Sequence, residues 1–132
     1  MITKYWKFLP ILLISGLVLG SGCAPMQTVL SETDNGKQVS LPAGSQLALR
    51  LPGNPTTGYT WEVQAVDASI LQQLGEPGYQ SDRPQLVGSG GTLSLTFKAL
   101  KPGTTRLLLV YHRPFEANVA PLKTFGVTVT VK

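Results

Sequence analysis

Apolar and polar residues alternate with a period of two along most of the chain beyond residue 37. In SQLALRL, Leu47, Leu49 and Leu51 share one face and Gln46, Ala48 and Arg50 the other, which predicts a half-buried strand over 46–52. YTWEVQAV repeats the pattern over 59–66, with Tyr59, Trp61 and Val63 opposite Thr60, Glu62 and Gln64, and Trp61 is assigned to the core. TLSLTFKAL sets Leu93, Leu95 and Phe97 against Ser94, Thr96 and Lys98, and TFGVTVTVK sets Phe125, Val127, Val129 and Val131 against Gly126, Thr128 and Thr130. TTRLLLVYH is apolar on both faces from Leu107 to Tyr111, which predicts a central strand covered on both sides. A short strand is expected near Gln85 to Val87, and ASILQQLGEPG has room for one helical turn. Breakers containing Gly or Pro (PGNP, EPG, GSGG, KPG, RPF) divide the runs. Strands of this length and spacing predict an all-β fold, an immunoglobulin-like antiparallel β-sandwich.

The first 25 residues follow another rule. Lys4 and Lys7 precede an apolar stretch from Phe8 to Leu19, the charge and length of a secretory signal. A transmembrane helix needs about 20 unbroken apolar residues, and Pro10, Ser15, Gly16 and Gly20 to Gly22 interrupt this one. Cys23, the only cysteine, follows small residues at the position where bacterial lipoproteins carry their lipid-modified cysteine. The resemblance to a lipobox departs at Gly20, where leucine is usual, because Leu19 lies one place too early. Lipidation of Cys23 is the expectation; the alternative is ordinary cleavage nearby, leaving a free thiol of the kind exported proteins avoid.

The expected organisation is a signal peptide at 1–22, a polar lipid-anchored tether at 23–36 and one domain at 37–132. The implied location is the bacterial cell envelope, at the outer membrane facing the periplasm, since Ala24 stands where an aspartate retains many lipoproteins at the inner membrane. One cysteine permits no internal disulfide, so stability must come from burial and strand pairing.

Charge and chemistry narrow the function. Loss of Lys4 and Lys7 lowers the net charge from +4 to +2, and no cluster of Lys and Arg remains to bind nucleic acid. Nucleophilic catalysis needs a nucleophile beside a base, yet Cys23 belongs to the anchor and His112, the only histidine, reads as a surface strand residue. Asp67, Asp82 and Glu116 are scattered without metal-ligand spacing. The chain is therefore expected to be no enzyme and to use no cofactor and no metal.

The loops are more distinctive. Successive connections in an antiparallel sandwich alternate between its ends, so NPTTGY at 54–59, GSGG at 88–91 and the segment that opens with RPF at 113–115 should share one rim. Taken singly, NPTTG reads as a long turn and GSGG as a hairpin connection. The ordered triple resembles the chagasin family of cysteine peptidase inhibitors, over essentially all of 37–132. The resemblance implies an immunoglobulin-like monomer that blocks papain-like cysteine peptidases reversibly and without covalent chemistry. The peptidase-binding residues it implies are Asn54, Pro55, Thr56, Thr57, Gly58 and Tyr59, then Gly88, Gly90 and Gly91, then Arg113, Pro114 and Phe115. Thr56 and Thr57 would hydrogen-bond around the catalytic thiolate, and Arg113 would meet acidic or carbonyl groups of the enzyme. Phe115 stands where the family usually has tryptophan, which keeps a stacking face but loses area and the indole N–H. The rival reading is an immunoglobulin-like binding or adhesion module of the cell envelope.

Overall fold

Rows of leucine and valine on alternate positions become the facing surfaces of two four-stranded sheets. The computed structural model describes residues 26–132, so the expected signal peptide and Cys23 lie outside the described residues. The strands are β1 Gln27–Ser31, β2 Gln38–Leu41, β3 Gln46–Gly53, β4 Thr60–Ala65, β5 Leu71–Ser81, β6 Gly91–Ala99, β7 Gly103–His112 and β8 Lys123–Val131. One sheet runs β1-β3-β6-β5 and the other β2-β8-β7-β4. Antiparallel register places Leu47 opposite Phe97, Leu49 opposite Leu95, and Leu107 opposite Val127. All six are buried, with Trp61, Leu71 and Phe125 in the same cluster. Each such side chain contributes about 1.5–3 kcal/mol by leaving water, which supplies the stability that no disulfide provides.

The expected sandwich is present, but not all its pairings are antiparallel. β1 pairs with β3, and β2 with β8, in parallel. The chain climbs one sheet edge as β1, crosses through a 3-10 turn at Glu32–Asp34 and descends the other edge as β2, so neither strand forms a hairpin with its sequence neighbour. Gly126 pins this crossing: its carbonyl accepts from Gly36 N at 2.7 Å and its N–H donates to Asn35 Oδ1 at 2.8 Å. Residues 27–34, read above as tether, therefore join the sandwich. Backbone pairing and one buried side chain, Leu30, suffice to recruit an otherwise polar segment to an edge.

No strand forms at Gln85 to Val87, which lie in turns; the strand before the second loop is β5. The single turn expected in ASILQQLGEPG is present, closed by Ile70 N and Leu71 N donating to Asp67 O, but the chain is extended from Leu71 onward. β5 is an edge strand with most side chains in water and a register shift between Leu74 and Gly78, around Gly75 at φ 64°. Edge exposure and a bulge remove the alternation that reveals buried strands. β7 is interior to its sheet as expected, with Leu107, Leu109 and Tyr111 in the core, Val110 buried and Leu108 half-buried on the other face. β3, β5 and β7 all run toward the same end, where they deliver residues 54–59, 82–90 and 113–122.

Candidate functional site

Asn54 to Tyr59 form a locked loop rather than an open one. Asn54 caps the 3-10 turn Pro55–Thr57: its Oδ1 accepts from Thr56 N at 3.2 Å, and Pro55 takes the first position, where no N–H is needed. Gly58 ends the turn at φ 82°, the left-handed region open to glycine, with its N–H on Pro55 O. Thr56 Oγ1 donates to Asn54 Oδ1 and Thr57 Oγ1 to Asn54 O, both at 2.6 Å. Tyr59 N reaches Thr57 Oγ1 at 3.4 Å, Thr57 N reaches Asn54 O, and Asn54 N reaches the Tyr111 hydroxyl at 3.1 Å. Every backbone N–H and both hydroxyl protons are thus used inside the molecule. In this arrangement the threonine hydroxyls present lone pairs outward, and the donation to a thiolate that the resemblance implied requires one of these internal bonds to break.

The neighbouring loops hold this one in place. Asn54 Nδ2 donates to Gly88 O at 3.0 Å, tying the first loop to the second. Arg113 Nε donates to Thr57 O at 3.0 Å, Nη1 bonds Glu116 Oε1 at 3.0 Å, and the guanidinium lies 4.5 Å from the centre of the Tyr59 ring. The guanidinium charge is permanent, and the Glu116 hydrogen bond is the main cause that raises its pKa further. Arg113 was expected to meet groups on the enzyme; two of its five N–H donors brace the first loop and Glu116, and the side chain keeps its other donors partly exposed. Beneath it stands an aromatic column, Tyr59 on Tyr111 at 5.3 Å and Tyr111 on Trp61 at 5.1 Å, with Trp61 Nε1 on Pro52 O. Tyr111 was read only as the end of the central strand and not as part of the site, although its parity with Leu107 and Leu109 already placed it inward at the rim end.

The glycines divide by role. Gly88 takes φ 85° at the tip of the second loop, whereas Gly91 lies in β6, where a Cβ would sit 2.2 Å from Gln80 O. Gly91 is therefore required for close strand packing. Gly90 approaches Gly53 O, bringing the first and second loops together at their roots. Beside Gly88, Leu86 and Val87 stand 53% and 98% exposed, apolar residues on the rim that the motifs did not flag. In the third loop Phe115 is 74% exposed, its ring leaning on Gly58 so closely that a Cβ there would meet Cε1 at 3.0 Å. Pro114 is exposed beside it.

The rim thus brings together the three loops singled out from the sequence: a stiff polar centre flanked by exposed Phe115 on one side and Leu86 and Val87 on the other. His112 is a half-buried strand residue whose Nε2 meets the Glu62 carboxylate across the sheet surface. Among the described residues no three His, Cys, Asp or Glu side chains gather as metal ligands do.

Residues 40–129 match the family described as Chagasin family peptidase inhibitor I42. Amoebiasin-1 of Entamoeba histolytica is 31% identical over 103 residues, which cover 78% of this chain and 98% of that protein. Chagasin of Trypanosoma cruzi is 27% identical over 93 residues, 68% of this chain and 84% of the relative. The crystal structure of the cysteine protease inhibitor EhICP2 from Entamoeba histolytica superposes with a TM-score of 0.74 at 25% identity, over 84% of this chain and 100% of that one.

Proposed function

The chain belongs to the chagasin family of peptidase inhibitors, which are not enzymes, and from that premise we propose that it inhibits papain-like cysteine peptidases by plugging their active-site cleft with the rim. The observation that carries the proposal is the locked loop of Asn54 to Tyr59, whose donors are all satisfied internally. Such a loop loses little conformational entropy on docking.

Its chemistry suits the target. A papain-like site pairs a cysteine thiolate with a protonated histidine. Donors would favour the thiolate; the lone pairs of Thr56 and Thr57 favour the imidazolium N–H instead. The carbonyl of Thr57 already accepts from Arg113, which holds it to the loop and resists the rotation that a scissile carbonyl makes to enter an oxyanion hole. Inhibition is then reversible and leaves the loop uncut. Phe115 on one flank and Leu86 and Val87 on the other supply apolar contact to the cleft walls, and Gly88 and Gly90 let the backbone approach closely. An interface of about 800 Å² per partner fits such a wedge.

The chain acts from the bacterial cell envelope in this reading, exported by residues 1–22 and held by a lipid on Cys23 at the periplasmic face of the outer membrane. The charged start, the apolar stretch and the placement of Cys23 support it. Titrating residues 24–132 into papain and a cathepsin L-like enzyme, with a fluorogenic peptide as substrate, tests the inhibitor reading. Stoichiometric, reversible loss of hydrolysis is expected. Full activity with folded inhibitor at micromolar concentration overturns it and favours the envelope binding module.

A further inference from the structure

The direction of β1 bears on how the anchored protein stands on its membrane. β1 runs parallel to β3, with Gln27 opposite Gln46, so both strands start at the end of the sandwich remote from the rim. Gln46 N donates to Met26 O at 2.9 Å, which fixes Met26 at that base. The turn at Pro42 to Ser45, the turn at Leu100 to Pro102 and Lys132 lie at the same end.

We propose that the base of the sandwich sits on the membrane that holds Cys23 and that the inhibitory rim points away from it into the aqueous compartment. The proposal rests on the lipidation of Cys23, and length decides the rest. Ala24 and Pro25 alone separate Cys23 from Met26, and three peptide steps span at most about 11 Å even when fully extended. β3, with eight residues between base and rim, spans about 26 Å. A link of that reach cannot turn the sandwich over to bring Asn54 to Tyr59 against the bilayer. The surface of the base agrees: exposed Lys98, Lys101 and Lys132 are set against Asp67, and Met26 and Leu100 are exposed among them. Cations beside apolar side chains suit anionic phospholipid headgroups. A peptidase therefore meets the loops from the solvent side with no membrane in its way.

The full chain, recovered from bacterial membranes, tests this. The mass of the N-terminal peptide reports the lipid on Cys23. The protein is then placed in vesicles of phosphatidylcholine with phosphatidylglycerol and nitroxide-labelled headgroups, carrying a fluorophore at Ala43→Cys in the base or at Val87→Cys in the rim. The label at position 43 is expected to lose most of its fluorescence, and the label at 87 to stay near its value without nitroxide. Equal or stronger quenching at 87 in lipidated protein overturns the orientation. An unmodified Cys23 with release from the vesicles overturns it by removing the anchor. Papain left fully active by both the vesicles and the soluble form would overturn the inhibitor reading and leave the orientation result standing.

Discussion

The two ends of the sandwich close their strands in different ways. At the base the turns are tied to one another mainly by backbone, with Gly44 N on Ala99 O, Leu100 N on Ile70 O and Ala43 N on Lys132 O, and their side chains act within one turn, as Ser45 Oγ does on Pro42 O and Asp67 on Ser69. At the rim the loops secure one another, with Asn54 donating to Gly88 O, Arg113 to Thr57 O, and the Tyr111 hydroxyl accepting from Asn54 N. A side-chain substitution at the base leaves those backbone bonds in place, whereas at the rim it removes the link between loops. The rim behaves as one piece, which is what a binding surface assembled from three separate loops requires.

The strongest break in this contrast is Gly91→Ala. Its Cβ would lie 2.2 Å from a backbone oxygen, so the β5–β6 pairing under the second loop must shift. A loss of about 3 kcal/mol is expected with weakened inhibition, read by chemical denaturation and by papain titration. The base counterpart is Gly44→Ala at φ 87°, where nothing lies within 4 Å, and it should lose about 1–2 kcal/mol through backbone strain alone and leave inhibition intact.

Phe115→Ala separates contact from scaffold. The ring is 74% exposed, so denaturation should barely change, whereas the inhibition constant should rise about 10–100-fold. Phe115→Trp should lower the constant, because it adds stacking area. A stability loss matching the affinity loss would mean that the ring serves the fold.

Arg113→Met sharpens the contrast within the rim. With the Thr57 bond and the Tyr59 contact gone, affinity should fall about tenfold with faster dissociation, and amide exchange should speed up at Gly58 and Tyr59. Glu116→Gln, which keeps Arg113 but weakens its positioning, should show the same changes at smaller size. Unchanged exchange in Arg113→Met would show that the first loop holds itself.

The smallest expected effect is at the base, in acid. The Asp67 carboxyl is held below its ordinary value chiefly by the Ser69 hydroxyl and then by the Ser69 N–H. Its stabilisation is therefore present above the unfolded pKa and lost as pH falls through the lower folded value. Asp67→Asn should make the fall in Tm below about pH 4 shallower, and leave inhibition at neutral pH unchanged. Asp34 is lowered in the same way by Ser31 and Lys37, so the change is partial.

Legibility followed the range of the interactions. NPTTGY was readable because its parts act on near neighbours: an asparagine cap, a proline at the first turn position, a left-handed glycine. The buried strands were readable because both sheets expose one face to the core and impose a period of two. β5 was not, because at an edge its residues answer to water and to a bulge. β1 was not, because the partner that recruits it is β3 and only Val29 and Leu30 among its residues are apolar.

What the sequence determined by itself was the all-β core, the turn chemistry of the first loop and the presence of three unusual loops at one end. Only the tertiary structure decided what those loops do to each other. Asn54 and Gly88 are 34 positions apart, Thr57 and Arg113 are 56, and Asn54 and Tyr111 are 57. Local backbone preference acts over a few residues, so no pattern in the chain could show that Arg113 braces the first loop while Phe115, Leu86 and Val87 remain free to touch a partner. That division exists because packed sheets bring distant strand ends within hydrogen-bond distance, where each polar group on the rim is either satisfied within the molecule or left facing outward.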